Sequence, residues 1–138
     1  MTESDFITIH TNLSPKTHHL ITAKHFERMK RTCILVNTSR GAVVDNLALY
    51  DALQSGKILY AGLDVTDPEP IPADHPLLTL DNVIVVPHMA SASVATRRRM
   101  AIIAADNLIA GLKGQHGPAL VNPQARISQP NPRDNLSQ

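Results

Sequence analysis

Length, composition and charge limit what this chain can be. Its 138 residues are the usual size of one domain, which excludes two complete domains, and 43% hydrophobic residues suffice for a packed core. A formal net charge of +1 with 3% aromatic residues gives no indication of nucleic-acid binding. The single cysteine, Cys33, excludes an intrachain disulfide, and neither a signal-peptide pattern nor a membrane-spanning run is visible, so a cytoplasmic protein without membrane contact is expected.

Apolar runs of strand length alternate with helical patterns along most of the chain. Strands are predicted at residues 5–10, 33–38, 58–65 and 83–86. The second and third of these runs are continuously apolar, which is typical of strands buried on both faces of a parallel sheet. Between the third and fourth strands lies a long connection with four prolines, and connections of this length are usually functional or disordered.

Helices fill the other gaps. Thr22 is expected to cap a helix over residues 22–30, and Asp45 a helix over 45–55 that Gly56 closes in the left-handed conformation. A longer helix is predicted over 92–113. Strands that alternate with helices predict an α/β fold with a parallel sheet and right-handed crossovers.

The last residues change character. Residues 115–138 are rich in Pro, Asn and Gln and contain few apolar residues, which predicts a flexible C-terminal tail. The structured part is therefore expected to occupy residues 1–114.

Chemically reactive side chains follow three of the predicted strands. Arg40, Glu69 and His88 come after the second, third and fourth strands, and the carboxyl ends of parallel strands meet at one edge of a sheet. A guanidinium holds a carboxylate with two parallel hydrogen bonds, and a carboxylate beside a histidine favours the imidazolium that a general acid needs. We therefore expect the three to converge, with Glu69 in hydrogen-bond reach of His88. Taken singly, each has an ordinary alternative as a surface arginine, a solvated carboxylate or a structural histidine.

Two other polar clusters give weaker indications. His18, His19 and His25 have no metal-ligand spacing and no supporting Cys or carboxylate cluster, so a solvated loop and no metal site are expected. Three consecutive arginines at 97–99 fit a solvated helix face better than an anion site.

Three ordered motifs together resemble a known family. They are NTSRGAVVD at 37–45, AGLDVTDPEP at 61–70 and HPLLTLDNVIVVPH at 75–88. The sequence from about residue 5 to 114 is similar to the D-isomer-specific 2-hydroxyacid dehydrogenases, most closely their glyoxylate/hydroxypyruvate reductase branch. The resemblance implies part of a Rossmann-type NAD(P)-binding domain over residues 1–114.

The resemblance also implies a role for individual residues. Arg40 would hold the carboxylate and carbonyl of a small 2-oxo acid, His88 would donate a proton to the carbonyl oxygen, and Glu69 would keep His88 oriented and charged. The cofactor would be NADP or NAD, with a slight preference for NADPH, and the substrates would be glyoxylate or hydroxypyruvate. Positions that line the cofactor in the family correspond to Asn12, Thr38, Asp64 and Ala90.

The sequence also departs from the family. It contains no Gly-x-Gly-x-x-Gly turn, which would place the cofactor pyrophosphate on a helix N-terminus, and no separate substrate domain. Residue 90 is Ala where this branch usually has Gly, and residue 93 is Ser where Thr is common. The resemblance therefore implies the C-terminal half of a reductase with impaired turnover.

Two functions remain open at this stage. The chain is a reductase of this branch that has weak or no activity in isolation and forms a homodimer or binds a partner chain, or it is a non-catalytic remnant that acts as an interaction module.

Overall fold

The computed structural model describes residues 1–122, which form two compact units, Met1–Ala90 and a second that begins at Ser91. In the first unit, four parallel strands lie side by side in chain order. The strands are β1 (Phe6–Ile9), β2 (Ile34–Asn37), β3 (Tyr60–Leu63) and β4 (Val83–Val85), and the helices are α1 (Ala23–Phe26), α2 (Asn46–Gln54) and, in the second unit, α3 (Val94–Leu112). The predicted α/β fold with a parallel sheet is therefore confirmed.

Helix α1 is shorter than the sequence predicts. It ends at Phe26, and the amides of Arg28 and Met29 donate to carbonyls three residues back, those of His25 and Phe26. These bonds describe tight turns that do not continue an α-helix. The buried side chains of Phe26 and Met29 still face the core as the pattern predicts.

Burial alternates along the strands because successive side chains point to opposite faces. In the paired register, Leu35 lies beside Ala61, and both are buried under α1 and α2 together with Phe26, Leu49 and Leu77. On the opposite face, Ile34 and Val36 of β2 are only half-buried, and Tyr60 of β3 is 46% exposed. Burial on both faces was therefore a wrong prediction for Met1–Ala90, because its helices all pack on one face of the sheet.

Helix α2 begins and ends as its sequence predicts. The Asp45 carboxylate accepts hydrogen bonds from the amides of Leu47 and Ala48, both at 3.1 Å, and Gly56 follows the helix at a φ of 67°. The carboxylate satisfies two amides that have no partner within the helix. The apolar side of α2 then packs in the core through Leu49 and Leu53.

Replacing Asp45 by Ala is expected to lower the free energy of unfolding by about 1–2 kcal/mol, because two helix amides lose their acceptor. Urea denaturation followed by circular dichroism measures the change. Asp51→Ala, which removes an exposed carboxylate from the same helix, is the matched control and should change stability by less than about 0.5 kcal/mol. Equal losses in both variants would contradict the assigned capping role.

Cys33 belongs to the core. Its side chain is fully buried, and desolvation by that burial raises the pKa of the thiol. A buried thiol of raised pKa is neither a ready nucleophile nor a ready metal ligand.

The second unit contains α3. Its first turn is capped by Ser93, whose hydroxyl accepts from the amide of Thr96, and Gly114 follows the helix at a φ of 69°. Within residues 1–122, no helix has the length and apolar composition needed to cross a membrane. The flexible tail predicted from residue 115 falls mostly on residues 123–138, which lie outside the described residues.

Candidate functional site

The carboxyl edge of the sheet carries the loops that hold Arg40, Glu69 and His88. A buried Asn37 at the end of β2 shapes the first of these loops. Its side-chain oxygen accepts from the amide and hydroxyl of Ser39 at 3.0 and 2.9 Å, and its amide group donates to the carbonyl of Arg40 at 3.0 Å. The Asn37 side chain thereby holds the Ser39–Arg40 backbone against the end of the strand.

The loop after β2 touches the loop after β3 at Gly41. A methyl group added to Gly41 would overlap the carbonyl of Thr66 and the amide of Asp67. The absence of a side chain therefore permits this close backbone approach. This contact fixes the distance between the loop that holds Arg40 and the loop that leads to Glu69.

Replacing Gly41 by Ala is expected to lower the free energy of unfolding by about 1–3 kcal/mol, because the two backbones must separate to admit the methyl group. Gly62→Ala is the control in the same sheet, since its added methyl group would meet only Val36, at 3.9 Å. Urea denaturation compares the two variants. A loss in Gly62→Ala as large as that in Gly41→Ala would contradict the interpretation.

Asp64 follows β3 and holds the turn that carries His88. The residue is only 5% exposed, and one carboxylate oxygen accepts from the amides of Met89 and Ala90 at 2.6 and 3.0 Å. The Asp64 carbonyl accepts from the amide of His88 at 2.9 Å. His88 itself adopts a φ of 50°, an unfavourable region for any residue with a side chain. Asp64 therefore uses both its backbone and its side chain to keep the turn in this conformation.

Glu69 and His88 meet at the same edge. The Glu69 carboxylate lies 2.7 Å from Nδ1 of His88, which leaves Nε2 free for another partner. The two side chains are 41% and 51% exposed and line a cleft of about 510 Å³ whose other walls are mainly apolar, including Ile71, Leu78 and Val85. This arrangement presents an oriented imidazole at the mouth of an apolar cleft, as proton donation to a small ligand requires.

Arg40 lies at the same edge but beside a different cleft. Its Nη1 donates to the carbonyl of the preceding Ser39 at 2.6 Å, and its side chain lines a polar cleft of about 460 Å³ together with His10, Asn12 and Thr38. The structure therefore brings Glu69 and His88 into contact with each other, and shows no hydrogen bond from Arg40 to either.

The remaining predicted site residues line a third cleft, of about 280 Å³, on the less covered face of the sheet. Thr38, Asp64 and Ala90 surround it, and its other walls are mostly apolar, including Val36 and Val86. A flat, mostly apolar ring with one polar group fits such walls. Thr38 lines both this cleft and the polar cleft that contains Asn12. These are the described residues that could hold the nicotinamide end of a dinucleotide, and that role stays a prediction. No Gly-x-Gly-x-x-Gly sequence is present to hold its phosphates.

Sequence reasoning missed the residues that position the loops. Asn37, Gly41 and Thr66 were not singled out, although Asn37 precedes Ser39 in a pattern typical of a turn closed by an Asn side chain. The roles of Gly41 and Thr66 depend on a contact between two loops, for which the sequence has no local signal.

Comparisons with known proteins match both the sequence and the fold. The family described as D-isomer specific 2-hydroxyacid dehydrogenase, NAD binding domain, matches residues 1–90. Glyoxylate reductase of Korarchaeum cryptofilum is 58% identical over 120 residues, which are 87% of this chain and 36% of that protein.

Comparison with solved structures gives the same family as comparison with sequences. D-lactate dehydrogenase of Lactobacillus jensenii with NAD+ is 36% identical with a TM-score of 0.81, over 87% of this chain and 40% of that one. NADPH-dependent glyoxylate/hydroxypyruvate reductase of Sinorhizobium meliloti, in complex with NADP and malonate, is 38% identical with a TM-score of 0.72, over 79% of this chain and 34% of that one. The chain spans well under half the length of these relatives.

Proposed function

Because the chain belongs to the D-isomer-specific 2-hydroxyacid dehydrogenases, within their NAD-binding domain, we propose that it carries the catalytic side of the reduction of a small 2-oxo acid to a D-2-hydroxy acid. The observation that carries this proposal is the 2.7 Å contact between Glu69 and His88 at the carboxyl edge of the sheet. Glyoxylate and hydroxypyruvate are the proposed substrates, since both appear in the names of reductases that are similar to the chain.

His88 is proposed as the proton donor. With Nδ1 held by Glu69, a proton on Nε2 would point towards the carbonyl oxygen of a bound substrate. Asp64 holds the His88 turn and so maintains the donor's direction. Bound NADPH or NADH would supply the hydride that reduces C2 of the substrate.

Arg40 is proposed as the carboxylate-binding residue. Its guanidinium now bonds the carbonyl of Ser39 and is otherwise exposed, so the remaining donors are available to a planar carboxylate. Thr38, Asp64 and Ala90 are proposed to surround the nicotinamide, with Asn12 further along the cofactor. Of the two cofactors, NADPH is proposed.

Replacing Arg40 by Lys is expected to raise the KM for glyoxylate by about tenfold with a smaller effect on kcat, because an ammonium cannot form two parallel bonds to a carboxylate. Steady-state kinetics measure both constants in a folded protein that contains this chain and reduces glyoxylate. Arg28→Lys, an exposed arginine of the α1 turn, is the matched control. A KM unchanged by Arg40→Lys would contradict the proposed role of Arg40.

Two assays test the function. In the first, the 138-residue chain is mixed with NADPH or NADH and glyoxylate or hydroxypyruvate, and we expect turnover well below the ordinary enzyme range of roughly 1–10³ per second, since the sequence has no phosphate-binding glycine turn. In the second, the matching 120 residues replace their counterpart in the glyoxylate reductase of Korarchaeum cryptofilum.

The second assay separates catalytic competence from cofactor binding, because that relative supplies the rest of the protein. We expect the folded chimera to reduce glyoxylate. A folded chimera that binds the cofactor but has no activity would contradict the proposal and favour the alternative of a non-catalytic interaction module.

A further inference from the structure

Tertiary folding brings together three metal-ligand side chains that do not belong to the Glu69–His88 pair. His18 and His19 lie in the loop after β1, and Asp67 lies in the loop after β3. One ligand atom from each of the three falls within 4.8 Å of the other two. All three side chains are exposed, so water and ions reach them.

Both loops are attached to the same short segment, the 3₁₀ turn Gly41–Val43. The amide of His19 donates to the carbonyl of Ala42 at 2.8 Å. On the other side, Gly41 packs against the backbone of Thr66 and Asp67. The separation between the histidines and Asp67 is therefore set by backbone contacts and does not depend on the exposed side chains themselves.

Each loop is also held internally. The amide of His18 donates to the carbonyl of Ser14 at 2.9 Å, and the Thr17 hydroxyl donates to the carbonyl of Asn12 at 2.7 Å. In the second loop, the side chain of Asn46 donates to the carbonyl of Asp67 at 2.6 Å. Such hydrogen bonds limit the backbone freedom that binding would otherwise have to remove.

The two imidazole rings are already arranged side by side. Their centroids are 4.1 Å apart with planes at 24°, and His19 adopts a φ of 48°, which brings its ring back over that of its neighbour. Ordinary extended backbone would direct two consecutive side chains to opposite sides. The left-handed residue thus explains how adjacent histidines face one ligand.

We propose that His18, His19 and Asp67 bind one divalent transition-metal ion of the Zn²⁺ class, with water completing the coordination. Two imidazoles and one carboxylate are the donors that such ions prefer, whereas Mg²⁺ and Ca²⁺ require mostly oxygen ligands. Zn–N bonds of about 2.0–2.1 Å place two ligands of a tetrahedron roughly 3.3 Å apart. The ligand atoms, which lie within 4.8 Å of one another, therefore have to approach by at most about 1.5 Å on binding.

A bound ion would join the loop after β1 to the loop that carries Glu69. Zinc binding depends only on the three ligands and on the backbone contacts that hold their loops. The proposal can therefore be tested independently of the proposed reductase function.

Zinc titration tests the site on the 138-residue chain without an affinity tag. Isothermal titration calorimetry with ZnCl₂ is expected to give one ion per chain, and MgCl₂ no binding at the same concentrations. His18→Gln, His19→Asn and Asp67→Asn are each expected to weaken zinc binding at least about tenfold. Asn is chosen at residue 19 because it tolerates the left-handed backbone.

Matched controls exclude binding elsewhere. His116→Gln and Asp74→Asn remove an exposed imidazole and an exposed carboxylate outside the cluster and should leave the zinc affinity unchanged. His88→Gln should also leave it unchanged. In addition, the ring nitrogens of His18 and His19 should shift in ¹H–¹⁵N spectra on zinc addition, which tests the wild type without any substitution. No zinc binding, or binding lost only in His88→Gln, would overturn the proposal.

Discussion

Replacing Asp64 by Ala is expected to lower the free energy of unfolding by about 2–4 kcal/mol, the largest stability loss of any substitution considered for this protein. The carboxylate is buried, and its removal leaves the amides of Met89 and Ala90 without their acceptor. Urea denaturation measures the loss. Asp81→Ala, an exposed carboxylate two residues before β4, is the matched control and should change stability by less than about 0.5 kcal/mol.

Asp64→Asn keeps the shape of this side chain and removes its negative charge. The amide oxygen still accepts from both backbone amides, but the bond is no longer charge-assisted, so a smaller loss of stability is expected than with Ala. Because the same turn holds His88 at an unfavourable φ, both variants should also lower the rate of any catalysed reduction. Wild-type stability in Asp64→Ala would contradict the interpretation of Asp64 as the residue that holds the turn.

Replacing His88 by Ala is expected to lower kcat by about 10²–10⁴, because the carbonyl oxygen would lose the proposed proton donor. The measurement is NADPH oxidation with glyoxylate by the chimera that carries these 120 residues. Glu69→Gln keeps a hydrogen-bond partner for Nδ1 but removes the negative charge, so a smaller loss, about tenfold, is expected.

His75→Ala is the matched histidine control for this series. Its ring caps the 3₁₀ turn at Pro76–Thr79 by accepting from the amide of Leu77 at 3.2 Å, which places it in the same long connection but not at the Glu69–His88 pair. We expect His75→Ala to reduce stability without a loss of kcat in the folded protein. If His88→Ala left the rate of glyoxylate reduction unchanged, His88 would be excluded as the proton donor.

Much of the fold could be predicted from local sequence because the signals are local. The apolar runs of β2 and β3, the Asp45 cap and the left-handed Gly56 depend on neighbours within a few residues. The extent of α1 could not be predicted in this way, since the helical spacing of Phe26 and Met29 is equally satisfied by the tight turns that the chain forms.

Part of the candidate site was also accessible from sequence. Residues that directly follow parallel strands must emerge at one edge of the sheet, which places the loops of Arg40, Glu69 and His88 together without knowledge of any side-chain conformation. The motifs around these residues added the family resemblance.

Tertiary structure decided which of these side chains touch. Glu69 reaches His88, whereas the Arg40 guanidinium bonds the carbonyl of Ser39 beside another cleft, and no residue spacing distinguishes these outcomes. The same holds for Asp67, which joins His18 and His19 only because two loops far apart in sequence attach to one segment. Sequence by itself determined the strands, the caps and the edge where the loops emerge, since these depend on near neighbours and on strand direction. Contacts between loops were decided by the folded backbone, because their distances depend on packing between segments that no local pattern encodes.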